Sequence, residues 1–210
     1  MKTEDLIAVL AADTAPQSTT GERMLRCLPI ALMVTLIAVV ALWRVRPDFA
    51  TAMVSPALYK TIVPSVLALA ALWLAHGMTR PESRMRARWA LIGVLLAAWV
   101  VAFVLVLNSA GFSGLISALD TPNLLVCFVS IPILSALPLA AVFWAMKSGA
   151  PANPRSAGVA AGLLSGTIAA AVYSLHCPED ALLFFLPAYG IGVLIMAVVG
   201  GLLGPRLLRW

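Results

Sequence analysis

Six apolar runs, each about as long as a bilayer is thick, constrain this chain more than any motif in it. They cover Leu25–Trp43, Leu58–Gly77, Trp89–Asn108, Pro122–Met146, Ser156–Leu175 and Leu182–Gly204. At 1.5 Å per residue, about 20 residues of helix cross roughly 30 Å of hydrocarbon. Each run therefore reads as one membrane-spanning helix, and six of them use most of the 210 residues. The connectors, "RVRPDFATAMVSP", "MTRPESRMRAR", "SAGFSGLISALDT", "KSGAPANPR" and "HCPEDA", are short and rich in turn formers. Links this short make successive helices antiparallel neighbours. The expected fold is an all-α integral membrane protein: a six-helix antiparallel bundle, residues 25–210, after a short cytoplasmic amphipathic helix within residues 1–24.

Charge supplies the orientation. The net charge of +5 would suit nucleic-acid binding, but the basic residues follow topology instead. With the N-terminus in the cytoplasm, that face holds eleven of the lysines and arginines and the opposite face only Arg44, Arg46 and Lys60. Both termini are then cytoplasmic, in a bacterial inner membrane. The first 24 residues lack the early apolar core of a secretory signal, and no small-residue cleavage site follows the first run, which reads as a retained anchor.

The stretch "YSLHCPEDALLFF", Tyr173 to Phe185, then falls at the outer face. It sets His176, Cys177, Pro178, Glu179 and Asp180 between the fifth and sixth spans. Cys127 lies at the outer start of the fourth span, about five residues in, with Thr121 placed to cap that helix and Pro122 as its first residue. The two thiols thus share a face and a depth. Plain packing, a disulfide, or a soft metal ion held with His176 all remain open on residue chemistry. A helix N-terminus favours thiolate and a C-terminus beside two carboxylates does not, so Cys127 is the expected better nucleophile. Glu179 and Asp180 read as a solvated acidic pair, and Cys27 lies at the other membrane face, apart from both thiols.

Gly158, Gly162 and Gly166 recur at every fourth residue in the fifth span, and Gly200 and Gly204 in the sixth. Small residues so spaced allow close helix approach, within the bundle in preference to a homodimer, though the latter stays open. Pro64, Pro132, Pro138 and Pro187 interrupt spans, and a kink at Pro132 could carry a change at Cys127 down the helix. Ionisable residues are nearly absent at mid-depth, which argues against transport of ions or polar solutes. At the N-terminus, Glu4 and Asp5 open a helical pattern in which Leu6, Ile7 and Leu10 share a face, and Asp13 closes it. This acidic segment suits folding on a basic protein partner.

Taken together, "MKTEDLIAVLAAD", "RPDF", "CFVSIPILSALPLAA", "SLHCPED" and "GPRLLRW" resemble the NrsF family of bacterial membrane anti-sigma factors from end to end. The resemblance implies a regulator that holds an extracytoplasmic-function sigma factor through Glu4, Asp5, Leu6, Ile7, Leu10 and Asp13. It also implies release when Cys127 and Cys177 sense heavy metal or oxidant, with a transient soft metal ion and no standing cofactor. Beyond the sigma factor, the expected partners are membrane lipid, and no nucleic acid is bound directly. Cys27 stands outside the pattern. No nucleophile–base pair, phosphate loop or acid dyad appears, so no enzyme is expected. The competing readings are a membrane thiol oxidoreductase, which would ordinarily want a CxxC relay, a small heavy-metal transporter, and a structural membrane protein.

Overall fold

A computed structural model describes residues 18–79, 85–149 and 151–209, together with Thr3, Glu4 and Ile7. Six long helices dominate: α1 (Thr20–Leu42), α2 (Tyr59–Met78), α3 (Met85–Leu119), α4 (Asn123–Met146), α5 (Pro154–Tyr173) and α6 (Leu182–Leu207). Among the described residues there is no strand. All six are long and apolar enough to cross a membrane, α2 together with the 3-10 turn Pro56–Leu58 ahead of it. Chain direction alternates from helix to helix. One end of the bundle carries the 42–59, 119–123 and 173–182 connections, including Cys177; the other carries the starts of α1 and α5 and the end of α6.

Local chemistry sets where the helices begin. Thr19 accepts the Glu22 N–H while the Glu22 carboxylate accepts the Thr19 N–H, a reciprocal cap that starts α1 at Thr20. Asn153 accepts from the N–H groups of Arg155 and Ser156, and Pro154 occupies the first turn of α5, where a missing donor costs nothing. The expected cap on α4 is not made. Pro122 precedes the helix, and the Thr121 hydroxyl is buried with no hydrogen-bond partner among the described residues.

Burial ranks the helices. Over its most apolar stretch α5 is 83% buried, against 17% for α1 and 11% for α3. α5 is the central post, touching α1, α2, α4 and α6, while α3 leans on α2 and α6 from outside. The composition of α5 explains its place: Gly158, Ala160, Ala161, Gly162 and Gly166 present almost no side chain, so α6 closes onto its backbone. A methyl group at Gly158 would overlap the Gly200 carbonyl, and one at Gly162 the Met196 carbonyl. From the other side, Gly204 meets the Pro154 carbonyl in the same way. The glycine stripe is therefore used inside one chain. On the periphery, the Trp99 indole N–H donates to the Leu186 carbonyl at 2.9 Å and pins α3 to α6.

The third span is longer than the sequence pattern implies. The stretch "SAGFSGLISAL", expected as a connector, is helical up to Leu119, after a break at Gly111 (φ 73°, ψ 175°) that only glycine adopts freely. Beyond the break Leu115 and Leu119 turn inward and Phe112 and Ile116 outward. Spacing of four continues the helix where turn-forming composition suggests a loop.

The glycine seam makes a prediction. Gly158→Ala and Gly162→Ala should each cost about 1–3 kcal/mol by overpacking, lowering the melting midpoint in detergent by roughly 3–10 °C. Gly93 in α3 has open space around it, so Gly93→Ala should leave the midpoint unchanged or raise it. Equal effects at Gly158 and Gly93 would contradict the seam.

Candidate functional site

Two cations are buried at the thiol end of this apolar bundle. The Arg46 side chain is 4% exposed and that of Lys60 2%. A buried charge persists only when paired and hydrogen-bonded, and here Asp180 is the shared counter-ion. Arg46 Nη1 and Nη2 grip its two carboxylate oxygens at 2.6 and 2.8 Å, while Lys60 Nζ bonds Oδ1. Asp48 takes the other edge of the guanidinium through Nε and Nη2 at 2.7 and 2.6 Å. Lys60 spends its remaining donors on the carbonyls of Cys177 and Glu179, and Arg46 Nη1 reaches the Cys177 carbonyl at 3.5 Å. The Arg46 N–H donates to the Leu175 carbonyl at 3.1 Å. Two segments distant in sequence, 46–60 and 175–180, are thereby locked into one corner.

The same corner holds the thiols. Cys127, in the second turn of α4, and Cys177, after the end of α5, are both buried, unbonded, and 3.9 Å apart at sulfur. The Cys127 thiol also points at the Tyr173 hydroxyl, 3.4 Å away. Tyr189 from α6 lies fully buried in an edge-on and tilted ring stack with Phe185 and Tyr173, beside the Cys177 thiol. Three helices and one loop thus converge on a small polar pocket inside an apolar end.

Several expectations need correction. Glu179 and Asp180 are not a free solvated pair: Asp180 neutralises the two cations, and the Glu179 carboxylate accepts from Asn123 Nδ2 at 2.8 Å. His176 does not join the thiols as a third ligand; its Nδ1 pairs with the Arg44 carbonyl at 3.0 Å, and Arg44 takes a left-handed backbone (φ 62°). Among the described residues no three His, Cys, Asp or Glu side chains gather as a metal-binding set. Cys177, expected as the poorer nucleophile, has surroundings that favour its thiolate. Cys177 titrates below the ordinary thiol value, first because the Cys127 thiol hydrogen-bonds to it, then through the Glu179 backbone and the Lys60 charge. The two carboxylates that should have suppressed its thiolate are turned onto other partners.

Other candidates fall elsewhere. Pro178 is exposed on the corner's loop. Cys27 lies on α1 and donates to the Ala141 carbonyl, far along the chain from either thiol. Of the proposed partner-binding residues, Glu4 and Ile7 are helical and exposed, whereas Asp5, Leu6, Leu10 and Asp13 lie outside the described residues. Arg46 and Lys60 are the functional residues the sequence reading missed. Their signal was the positive-inside pattern itself: two of only three cations on the sparse face, one inside "RPDF", need a specific reason to be there.

The Arg46 hydrogen bonds, with Lys60 behind them, hold the Asp180 carboxyl below its usual range. A lowered folded value means that its stabilisation is complete above the ordinary carboxylate range and is lost as pH falls through the folded value. The melting midpoint should therefore hold from pH 7 to about 5 and drop below about 4. Asp180→Asn should cost about 2–3 kcal/mol at neutral pH, below the roughly 3–5 kcal/mol of a fully buried pair, because Asp180 is 39% exposed and Asp48 still serves Arg46. Calorimetry across pH on both proteins checks this, and an acid-insensitive wild type would contradict it.

The chain matches the family described as negative regulator of sigma F over residues 10–210. It is 32% identical over 214 residues to the anti-sigma-F factor NrsF of Caulobacter vibrioides (strain NA1000 / CB15N), with both chains covered completely. It is 36% identical over 221 residues, again end to end, to the probable anti-sigma-F factor NrsF of Azospira oryzae (strain ATCC BAA-33 / DSM 13638 / PS). No solved structure matches it. Sequence likeness over the whole length means that the chain belongs to the NrsF family.

Proposed function

We propose that this protein is a membrane-bound anti-sigma factor, a regulator with no catalytic role, that restrains an extracytoplasmic-function sigma factor through its N-terminal segment and releases it when Cys127 and Cys177 react. The observation that carries the sensing half is the buried thiol pair, 3.9 Å apart and hydrogen-bonded into the ion cluster's corner. The names of the two relatives support the restraining half. The excess of arginine and lysine at the end holding both termini supports cytoplasmic termini and an inner-membrane setting, with the thiols facing outward.

The chemistry suits a two-electron input. The Cys177 thiolate attacks the terminal oxygen of a hydroperoxide, breaking the O–O bond; an alcohol leaves and a sulfenic acid forms. Cys127 then displaces the hydroxyl as water and the S–S bond closes, so two thiols and one hydroperoxide become a disulfide, an alcohol and water. Closing 3.9 Å to the S–S bond length of about 2.05 Å draws α4 and the 175–180 loop together. A soft cation bound by both sulfurs, with loss of two protons, would instead hold them roughly 3.8 Å apart, as two bonds of about 2.3 Å at the tetrahedral angle require, and would act through the charge it adds to the corner. A tenfold loss of sigma-factor affinity needs only about 1.4 kcal/mol of difference between the two states.

On this reading, Leu6→Ala with Leu10→Ala in the full-length protein should abolish co-purification of the sigma factor from solubilised membranes. Cys127→Ser and Cys177→Ser should retain it while losing release by cadmium or hydroperoxide. If the leucine variant kept its sigma factor, or both serine variants released it normally, the assignment would be wrong.

A further inference from the structure

Oxidation at one end of the bundle can matter to the start of α1 at the other only if some element spans the distance and is free to shift. α1 has that form. It begins at Thr20, directly after the N-terminal segment, and ends at Leu42, four residues before Arg46. Its buried residues, Thr20, Met24, Ala31, Thr35 and Val39, form one narrow stripe along a single side, bedded on α4 and α5. On its other side an apolar groove of about 540 Å³ separates it from α2, lined by Leu28, Leu32, Ser65, Ala68, Leu72 and Ala171 among others. At its start α1 is held by the Thr20–Ser148 hydroxyl pair and by Arg23 over the Trp144 ring. Past its far end the ties are Arg46, whose side chain grips Asp180 and the Cys177 carbonyl and whose N–H bonds the Leu175 carbonyl, and the Arg44 carbonyl, which pairs with His176 Nδ1.

We propose that the Arg46–Asp180–Lys60 cluster is a latch that passes the state of the thiol pair to α1, and that α1 answers by moving into the groove it shares with α2. The inference rests on the sensing role proposed above. The cations hold the main chain of Cys177 itself, so the residue cannot travel toward Cys127 without straining or releasing the grip. Arg46 and Lys60 are positioning residues here: they touch the reacting residue's carbonyl, never its sulfur. Packed helices switch between discrete arrangements in shifts of about 1–2 Å, and α1, loosely bedded beside this groove and without an anchor like the Trp99 bond that holds α3 to α6, has the form for such a shift.

The test uses the full-length protein in nanodiscs, with spin labels attached through non-cysteine chemistry at Arg26 and Lys147, both exposed at the far end. Hydroperoxide is the probe, and disulfide formation is scored in parallel by mass spectrometry. In the wild type the disulfide should form and the label distance should change by about 2 Å or more. Arg46→Gln should form the disulfide yet show less than half that change. Ala68→Leu with Ala171→Leu, which fills the groove without touching the latch, should likewise oxidise without moving. An undiminished distance change in Arg46→Gln, or in the groove-filled variant, would overturn the latch while leaving the sensing role intact. A wild type that forms the disulfide with no distance change would also overturn it. A wild type that forms no disulfide would overturn both together.

Discussion

Two side-chain cations must be neutralised at the end of a bundle that is otherwise almost wholly apolar, and the rest of the thiol end follows from that requirement. Asp180 meets both, and in doing so fixes the loop on which Cys177 sits. Lys60 has three N–H donors and uses them on Cys177, Glu179 and Asp180, so its charge and its hydrogen-bonding capacity are satisfied by one short segment. The position of Cys177 opposite Cys127 is thus a consequence of ion pairing as much as of helix packing. Removing the carboxylate would leave two buried charges competing for Asp48 and a few carbonyls, a state far less favourable than losing a surface ion pair.

The cluster works because the helices behind it are rigid. The backbone-to-backbone seam of α5 and α6 leaves no side chains to rearrange, and it brings Tyr173 and Tyr189 to the same depth beside the thiols. Against that fixed pair stand two helices with little burial, α1 and α3. α3 is anchored through Trp99 to α6, whereas α1 has its ties at its ends and along one stripe. A rigid centre with a loosely held outer helix suits a protein whose output is a change of grip on a partner and not a chemical product.

Much of this was legible in the sequence. Span count, the inward use of the glycine stripe and the meeting of Cys127 with Cys177 all follow from periodicity and depth, because bilayer thickness converts residue number into height. What failed was whatever depended on side-chain direction. Asp180 and Glu179 look solvated until the fold brings Arg46 and Lys60 to one and Asn123 to the other, contacts separated by more than fifty residues. The surroundings of Cys177 differ from expectation for the same reason. Helix position alone favours Cys127, but the charges nearest Cys177 turned out to be cationic. After the third span, the stretch expected as a connector keeps a helical spacing past the break at Gly111 that its turn-forming composition had masked.

On the proposed function, the state of the thiol pair at one face sets the grip of the N-terminal segment on its sigma factor. The most direct measurement is the amount of sigma factor retained by the full-length protein in nanodiscs, before and after hydroperoxide and again after a reductant. The account predicts retention when the thiols are reduced, at least a tenfold loss of affinity once the Cys127–Cys177 bond forms, and recovery on reduction. Sigma factor held equally tightly with the disulfide formed would contradict it.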